Sequence, residues 1–407
     1  MQSVLQAAVK ALVIGFVSSS ALLGAQAKST SMTNPYVELM QKAAAHAKAH
    51  GAPVPVLSPV DVAVLGTLPP GMSGLDKKPD LALVPMAEMQ AMAVQVVPWT
   101  TNDPGRMRAL MALKVDGIIS DRPDLLRKVV EEARAVAKAP EEKARLAKFD
   151  LAAHRGGRGL RPENTLPSFE NGMDQGATTL ETDTGVSTDH ESTIWHDQFY
   201  NPQSCRRADG KEYTLEQRVY LRDISSKEAQ AMFVCDKLHF ASTPGDTSQT
   251  NDLALSPVSV AFAKKEGMSN PYAPTYVAQL FRFVRFYAEF YTTGAGKDSP
   301  HAAERAHTGA TVRFNIETKS VPEGMSTSTR PSTEIRVMTV DPQTFVSVLC
   351  GTIMREHMQG RSEVQSFDFR TLVLVEEQFP KIPTYYLTED PKSLGSDLVP
   401  VSLRAKR

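Results

Sequence analysis

Short apolar runs alternate with helix-spaced apolar residues in the middle of the chain. Phe149 to Ala153 is an apolar run closed by a glycine-rich turn, which predicts a buried strand that ends in a loop. Apolar residues then repeat at helical spacing from 166 to 173, and Gly176 ends that predicted helix. A second strand follows at Ala177 to Leu180. The order strand, loop, helix, strand is a βαβ unit, which predicts a parallel sheet.

Similar patterns recur on both sides of this unit. Downstream, strands are predicted at Thr311–Lys319, Val364–Asp368 and Thr384–Leu387. Upstream, the pattern predicts a helix at Asn34–His50 and strands at Val60–Leu65, Leu81–Val84, Val94–Trp99 and Gly117–Ile119, with helices at Arg106–Leu113 and Leu125–Ala135. A charged segment at 139–148 is expected to be a linker. The fold class is therefore α/β.

The first 27 residues have the pattern of a secretory signal peptide. Lys10 precedes an apolar run from Ala11 to Leu23, and small residues at Ala25 and Ala27 form a cleavage site. The apolar run is shorter than the roughly 20 residues that a membrane span needs. We predict a secreted or periplasmic protein without a stable membrane anchor; an uncleaved N-terminal anchor is the alternative.

The composition of the chain bears on which ligands and metals it could bind. The chain has 407 residues, 42% of them hydrophobic, and a net charge of −1, which gives no reason to expect nucleic acid. Three cysteines are too few for a disulfide-stapled scaffold, and their spacing indicates no zinc site. Cys205 and Cys235 could pair in an oxidising compartment, whereas Cys350 is expected to be buried and free.

Residues that can transfer protons or bind a ligand are concentrated between Phe149 and Asp197. His154 stands at the carboxyl end of the first predicted strand. Glu181 and Asp183 end the second, where alternation places both carboxylates on one face. Two carboxylates on one face repel each other unless a cation joins them, and His196 follows shortly afterwards. This stretch is the candidate active site.

The same stretch resembles a known family. HRGGRGLRPENT, from His154 to Thr165, precedes LETDTGVSTD and then WHD, and these segments resemble the motifs of the glycerophosphodiester phosphodiesterases, which are PI-phospholipase-C-like barrel enzymes. One departure is Asp189-His190, where the family usually has Asp-Gly. The resemblance implies a (β/α)₈ TIM barrel.

The upstream strands resemble the end of that family, with WTTNDP and DGIISDRP standing before the HRG strand instead of after it. Of the eight strands that a barrel requires, the part after Phe149 supplies about five and the part before it about three, so neither part closes a barrel alone. We predict a circularly permuted barrel in which residues 28–148 supply the last strands and 149–407 the first, with an insertion at 198–310 after the second family strand. The alternative is an upstream remnant of a second copy, with barrels completed between chains.

The predicted strand ends assemble a site at the barrel mouth, since Glu317 ends the third strand and Lys319 follows on the same face. Glu181, Asp183 and Glu317 are the predicted ligands of a divalent cation, and their oxygen donors favour Mg²⁺ or Ca²⁺. A salt-bridge network without a cation is the alternative. Substrate contacts are predicted for Arg155, Lys319, Trp99, Gln365 and Phe367. Asn102 is a weaker candidate for contact with phosphate, and Asp121, Arg122 and Pro123 are expected to form a structural turn.

The implied reaction is the hydrolysis of a glycerophosphodiester, a small-molecule substrate, to an alcohol and glycerol 3-phosphate. His154 is predicted to take a proton from the glycerol 2-hydroxyl as it attacks phosphorus, and His196 to protonate the departing alcohol; water then opens the cyclic phosphate. Arg155, Lys319 and the cation would stabilise the negative charge that develops. The alternatives are a non-catalytic polyol or phosphate-binding barrel and a phosphodiesterase for lysophospholipids or inositol-linked diesters. The sequence leaves the oligomeric state open.

Overall fold

The computed structural model describes residues 34–67, 83–243, 245–321 and 338–404, which belong to one compact unit. The predicted signal peptide lies outside the described residues. The strands are β1 (Val56–Pro59), β2 (Gly117–Ser120), β3 (Asp150–Ala153), β4 (Thr179–Val186), β5 (Ser192–Ile194), β6 (Arg206–Arg207), β7 (Phe233–Val234), β8 (Arg313–Thr318), β9 (Ser362–Ser366) and β10 (Thr384–Thr388).

Seven of these strands form a parallel curled sheet. Its order is β1-β10-β9-β8-β4-β3-β2, and β5 adds to β4 as an antiparallel strand. The first strand of the chain therefore lies beside the last one, with Val56 opposite Tyr385.

An extended segment at 94–99 closes the sheet into a ring. On one side it bonds to β1, where the Leu57 N–H donates to the Gln95 carbonyl at 2.9 Å. On the other side it bonds to β2, where the Ile119 N–H donates to the Pro98 carbonyl at 3.0 Å. The predicted strand Val94–Trp99 thus supplies the eighth position of a (β/α)₈ barrel, which closes within one chain. Circular permutation relative to the family stays a prediction.

Helices surround the ring. Within the described residues they are α1 (Pro35–Ala49), α2 (Asp61–Leu65), α3 (Met86–Ala91), α4 (Pro104–Ala112), α5 (Pro123–Val136), α6 (Pro140–Ala147), α7 (Leu166–Asp174), α8 (Ser226–Met232), α9 (Pro257–Glu266), α10 (Val277–Thr292), α11 (Ala302–Thr311), α12 (Pro342–Arg355) and α13 (Phe369–Gln378). Thr165 caps α7 through a bond from the Ser168 N–H. No helix among the described residues is long and apolar enough to cross a membrane.

Three predicted elements differ from the structure. The predicted strand Val60–Leu65 is wrong: the strand is β1, and Asp61 begins helix α2. A short apolar run is compatible with a strand or a helix. Here Asp61, in the first turn of α2, forms a buried ion pair with Arg106 at 2.8 Å, which favours the helix. Leu83 and Val84 lie in no strand, and 81–82 are outside the described residues. The expected linker at 139–148 contains helix α6.

The barrel interior contains both an apolar cluster and a group of charged residues. Ile119, Ala152 and Tyr385 belong to a small buried cluster contributed by β1, the segment 94–99, β2, β3 and β10. Arg313 on β8 instead bonds to Glu363 at 2.6 Å and lies 2.9 Å from Asp150. Buried charges require such partners, because an unpaired one costs several kcal/mol. These three charged residues stand on β8, β9 and β3.

Residues 198–310, the predicted insertion, contain helices and a disulfide between Cys205 and Cys235. Its aromatic helix α10 buries Phe281, Phe283 and Tyr287 in the main core. The prediction that this aromatic stripe packs a core is thus confirmed. Cys350 is buried and free, as expected.

Gly172 on α7 offers a test of how closely this helix packs on the barrel. A Cβ there would lie 2.9 Å from the Gly156 carbonyl oxygen and 3.0 Å from a Leu180 methyl, whereas a Cβ at Gly351 on α12 meets nothing within 4 Å. We expect Gly172→Ala to lower the free energy of unfolding by about 1–3 kcal/mol through overpacking. Gly351→Ala should raise it by up to about 1 kcal/mol through helix propensity. Urea unfolding followed by circular dichroism measures both, and a Gly172→Ala variant as stable as the parent would contradict the packing argument.

Candidate active site

Three carboxylates converge at the carboxyl ends of β4 and β8. Asp183 and Glu317 are direct neighbours in the parallel register, and Glu181 stands two residues before Asp183 on the same face. One carboxylate oxygen of each lies within 4.8 Å of the other two, and all three residues are buried. The structure thus brings together the three predicted cation ligands.

Burial shapes the protonation of this cluster. Desolvation raises the pKa of Glu317 to about 7, and burial together with neighbouring Asp183 raises that of Glu181. Burial would raise the pKa of Asp183 as well, but the positive charge of Arg155 overcomes it and the pKa is lowered. Crowded carboxylates that resist ionisation gain stability from a cation between them.

The donor set fits a hard divalent cation. All three side chains offer oxygen, which suits Mg²⁺ or Ca²⁺ and not a soft metal. Arg155 and Lys319 supply two positive charges against the three carboxylates. The residues present would therefore accommodate the ion that the sequence predicts, while its identity is open.

Arg155 lies at the centre of the charge network because of an unusual turn. The residue has left-handed backbone angles, φ 51° and ψ 38°, which a non-glycine residue adopts at a cost. In this turn its N–H donates to Glu181 at 2.8 Å, while its guanidinium donates to Glu163 at 2.9 Å and lies 3.3 Å from Asp183. These contacts offset the free-energy cost of the left-handed backbone conformation at Arg155.

Lys319 and Asn164 complete the environment of Asp183. The Lys319 Nζ lies 3.0 Å from Glu317 and 3.8 Å from Asp183, so it bridges two of the carboxylates. The Asn164 amide donates to Asp183 at 2.9 Å and accepts from the Thr182 hydroxyl at 2.8 Å. Each group orients a carboxylate before any ligand binds.

His154 is oriented by Asp121, which follows β2. Its Nδ1 lies 2.6 Å from the Asp121 carboxylate and its Nε2 lies 3.9 Å from Glu181. Burial lowers the pKa of His154 to about 4, so the ring is neutral at pH 7 with its proton on Nδ1. Nε2 is consequently free to accept a proton beside the carboxylate cluster.

His196 has a matching arrangement on the Lys319 side of the cluster. Its Nδ1 lies 2.9 Å from Asp197, and its Nε2 lies 3.1 Å from the Lys319 Nζ. Burial, with Arg155 and Lys319 nearby, lowers its pKa. Both predicted catalytic histidines thus use Nδ1 for an aspartate and direct Nε2 toward the cluster.

Three residues predicted to contact substrate surround the same groups. Trp99 and Phe367 meet edge to face with ring centroids 5.5 Å apart, and the Lys319 Nζ lies 5.9 Å from the Phe367 ring. Gln365 donates to Glu181 at 2.6 Å, while its own carbonyl oxygen is buried without a hydrogen bond. A ligand could satisfy that oxygen, and substrate contact by these residues stays a prediction.

Comparison with known proteins places this arrangement in a family. The sequence profile described as "Glycerophosphoryl diester phosphodiesterase family" matches residues 10–125 and 154–405, which is most of the chain. The chain belongs to this family. The resemblance drawn from the HRG, PENT, ETD and HD motifs is confirmed.

Individual relatives are more distant. A glycerophosphodiester phosphodiesterase of Bacillus altitudinis is 35% identical over 67 residues, which is 16% of this chain and 27% of the relative. A putative glycerophosphoryl diester phosphodiesterase from Silicibacter pomeroyi DSS-3 is 19% identical, with a TM-score of 0.40 over 62% of this chain and 67% of that one. An Oleispira antarctica phosphodiesterase in complex with the product sn-glycerol-3-phosphate is 16% identical, with a TM-score of 0.33 over 57% of this chain and 64% of that one.

Two residues that support the histidine and its aspartate, Asp121 and Asn102, were not predicted in these roles. Asp121 was expected to form a structural turn, yet it accepts from Arg158 at 2.7 Å and contacts His154. Asn102 was considered for phosphate, but its amide donates to Asp121 at 2.6 Å. The register between β2 and β3 explains this contact. Ser120 pairs with Ala153, so the residues that follow them, Asp121 and His154, are neighbours.

A glycine makes the approach of these two strand ends possible. A Cβ on Gly159 would lie 2.8 Å from the Asp121 carbonyl oxygen, which instead accepts from the Gly159 N–H at 3.0 Å. The glycine-rich loop after His154 therefore packs directly on the turn that carries Asp121.

The Asp121 contact predicts the tautomer of His154. In Asp121→Asn the amide can donate to Nδ1, so we expect the proton to shift to Nε2 in a substantial fraction of molecules. Nitrogen chemical shifts of histidine-labelled protein at pH 7 distinguish the two tautomers. Asp197→Asn is the matched control and should alter His196 while leaving His154 unchanged. Unaltered His154 signals in Asp121→Asn would show that Asp121 does not set the tautomer.

Proposed function

We propose that the protein is an exported, metal-dependent glycerophosphodiester phosphodiesterase that releases an alcohol and glycerol 3-phosphate. The observation that carries the proposal is the pair of histidines beside the carboxylate cluster: His154 Nε2 lies 3.9 Å from Glu181, and His196 Nε2 lies 3.1 Å from Lys319, which itself pairs with Glu317. Two proton-transfer groups and a cation-binding cluster at one barrel mouth can together promote hydrolysis of a phosphodiester.

His154 suits the role of general base. It is neutral at pH 7, and Asp121 holds its Nδ1 proton, so Nε2 can accept the proton of the glycerol 2-hydroxyl as that oxygen attacks phosphorus. Asp121 would then stabilise the imidazolium that forms. A general base of this kind contributes roughly 10²- to 10⁴-fold to the rate.

His196 suits the role of general acid once an anion is present. In the structure burial disfavours its charged form, and the charges of Arg155 and Lys319 add to this effect. A phosphodiester monoanion bound beside these cations would offset their charge and raise the pKa of His196, so that it can hold the proton needed by the departing alcohol. In the second stage the roles reverse: His196 takes a proton from water and His154 returns one to the 2-hydroxyl.

The remaining residues bind and orient. Arg155 and Lys319 would stabilise charge on the nonbridging oxygens, because preorganised cations act most strongly in a buried site. A Mg²⁺ or Ca²⁺ ion held by Glu181, Asp183 and Glu317 would supply further charge stabilisation there. Trp99 and Phe367 would provide an apolar wall for the glycerol moiety.

The activity can be tested with glycerophosphocholine. We expect release of glycerol 3-phosphate that is lost with a chelator and restored by Mg²⁺ or Ca²⁺. His154→Ala should lower kcat by about 10²- to 10⁴-fold, since the base is removed. His307→Ala, an exposed histidine on α11, is the control and should retain full activity.

A panel of diesters separates the alternatives. Turnover of lysophospholipids or inositol-linked diesters in preference to glycerophosphocholine would reassign the substrate. If folded, metal-loaded protein hydrolyses no glycerophosphodiester, the enzyme proposal fails and a phosphate-binding or polyol-binding barrel remains.

Export is a separate part of the proposal and rests on the sequence of the first 27 residues. We expect the protein recovered from the periplasm or medium to begin at Lys28, because cleavage would follow Ala27. Intact-mass measurement of that protein checks the site. Protein found in the membrane fraction with residues 1–27 still attached would favour the uncleaved anchor.

A further inference from the structure

A second group of metal-binding side chains lies where α1 meets α13, outside the barrel ring. His46 and His50 belong to the end of α1, and Glu377 belongs to α13. One ligand atom from each of the three lies within 4.8 Å of the other two. The protonation network of the candidate active site uses none of these residues.

The histidines stand on one face of their helix. Residues at i and i+4 are neighbours on a helix surface, and the rings of His46 and His50 have centroids 4.4 Å apart. His50 is exposed and His46 half-buried, so a cation can reach them from solvent.

Both rings have their Nδ1 atoms already engaged. His46 Nδ1 lies 2.8 Å from the buried carboxylate of Glu376, which also accepts from the hydroxyls of Thr384 and Tyr386. His50 Nδ1 donates to the His46 carbonyl at 2.9 Å. In the neutral tautomer with its proton on Nδ1, each ring presents an Nε2 lone pair to a metal ion. Histidines that bind metal commonly have this arrangement, in which a carboxylate or carbonyl fixes the tautomer and orients the ring.

The separation of two candidate ligand atoms matches a zinc coordination sphere. His46 Nε2 lies 3.3 Å from Glu377 Oε1. Zinc holds nitrogen and carboxylate oxygen at about 2.0–2.2 Å in tetrahedral geometry, which places two ligand atoms roughly 3.3 Å apart. Two imidazoles with one carboxylate suit zinc, whereas Mg²⁺ and Ca²⁺ prefer oxygen alone.

We propose that His46, His50 and Glu377 form a zinc site with a water molecule in the fourth position. The site uses no cysteine, so cysteine spacing could not reveal it. Zinc would join α1, the first described helix, to α13, which connects β9 to β10. The proposal does not depend on the phosphodiesterase activity.

Zinc titration of the full-length protein tests the site. Measurements are made with excess Mg²⁺ present, so that the oxygen cluster at the barrel mouth competes less for zinc. We expect one zinc ion per chain to bind through this site and to raise the melting temperature, because a ligand that binds only the folded state stabilises it. Co²⁺ in place of zinc should give the visible absorption of a tetrahedral site.

Two variants and a control locate the bound ion. His50→Ala and Glu377→Gln each remove one ligand at a solvent-accessible position. Each should weaken zinc binding by at least roughly tenfold, because losing even an outer-shell partner of a metal ligand can cost that much. His307→Ala removes an exposed histidine on α11 and should leave zinc affinity unchanged. The Co²⁺ absorption should disappear in the first two variants and persist in the third.

The opposite results overturn the proposal. If the parent protein binds no zinc, or if His50→Ala and Glu377→Gln both retain its affinity and the Co²⁺ spectrum, the cluster is a hydrogen-bonded contact between His46 and two glutamates. Loss of phosphodiesterase activity in any of these variants would bear on neither outcome, because the readouts are metal stoichiometry, melting temperature and absorption.

Discussion

Negative charge buried at the ends of β4 and β8 is the constraint on which the rest of the site depends. Glu181, Asp183 and Glu317 cannot remain ionised in a protein interior without compensating charge. Arg155 reaches two of them only because its backbone adopts a left-handed turn, and Lys319 bridges the other side. The strained turn of Arg155 and the position of the half-buried Lys319 both follow from the concentration of acidic groups at one barrel mouth.

The two histidines also depend on neighbouring charged groups. Each carries one aspartate on Nδ1, Asp121 for His154 and Asp197 for His196, and so presents Nε2 in a defined protonation state. Asp121 is in turn held by Asn102 and Arg158. The carboxylate that orients His154 is thus held by hydrogen bonds of its own, which fixes the orientation of the ring.

Much of this could be predicted because strand alternation is a local property. Placing Glu181 with Asp183 and Glu317 with Lys319 required only the two-residue period of a strand. Asp121 escaped notice because its contact with His154 depends on the register between β2 and β3. Asp61 was assigned to a strand because a short apolar run does not reveal its tertiary partner, Arg106. Non-local pairings of this kind cannot be read from periodicity.

The pairing of β1 with β10 has a consequence for how the chain acquires its structure. Val56 lies opposite Tyr385, so the ring cannot close until nearly the whole polypeptide has been made. Until then, β1 exposes an unpaired edge, and non-local pairings of this length form slowly. Sequestration of that edge by a chaperone during synthesis would therefore limit edge-to-edge association of the unfinished barrel.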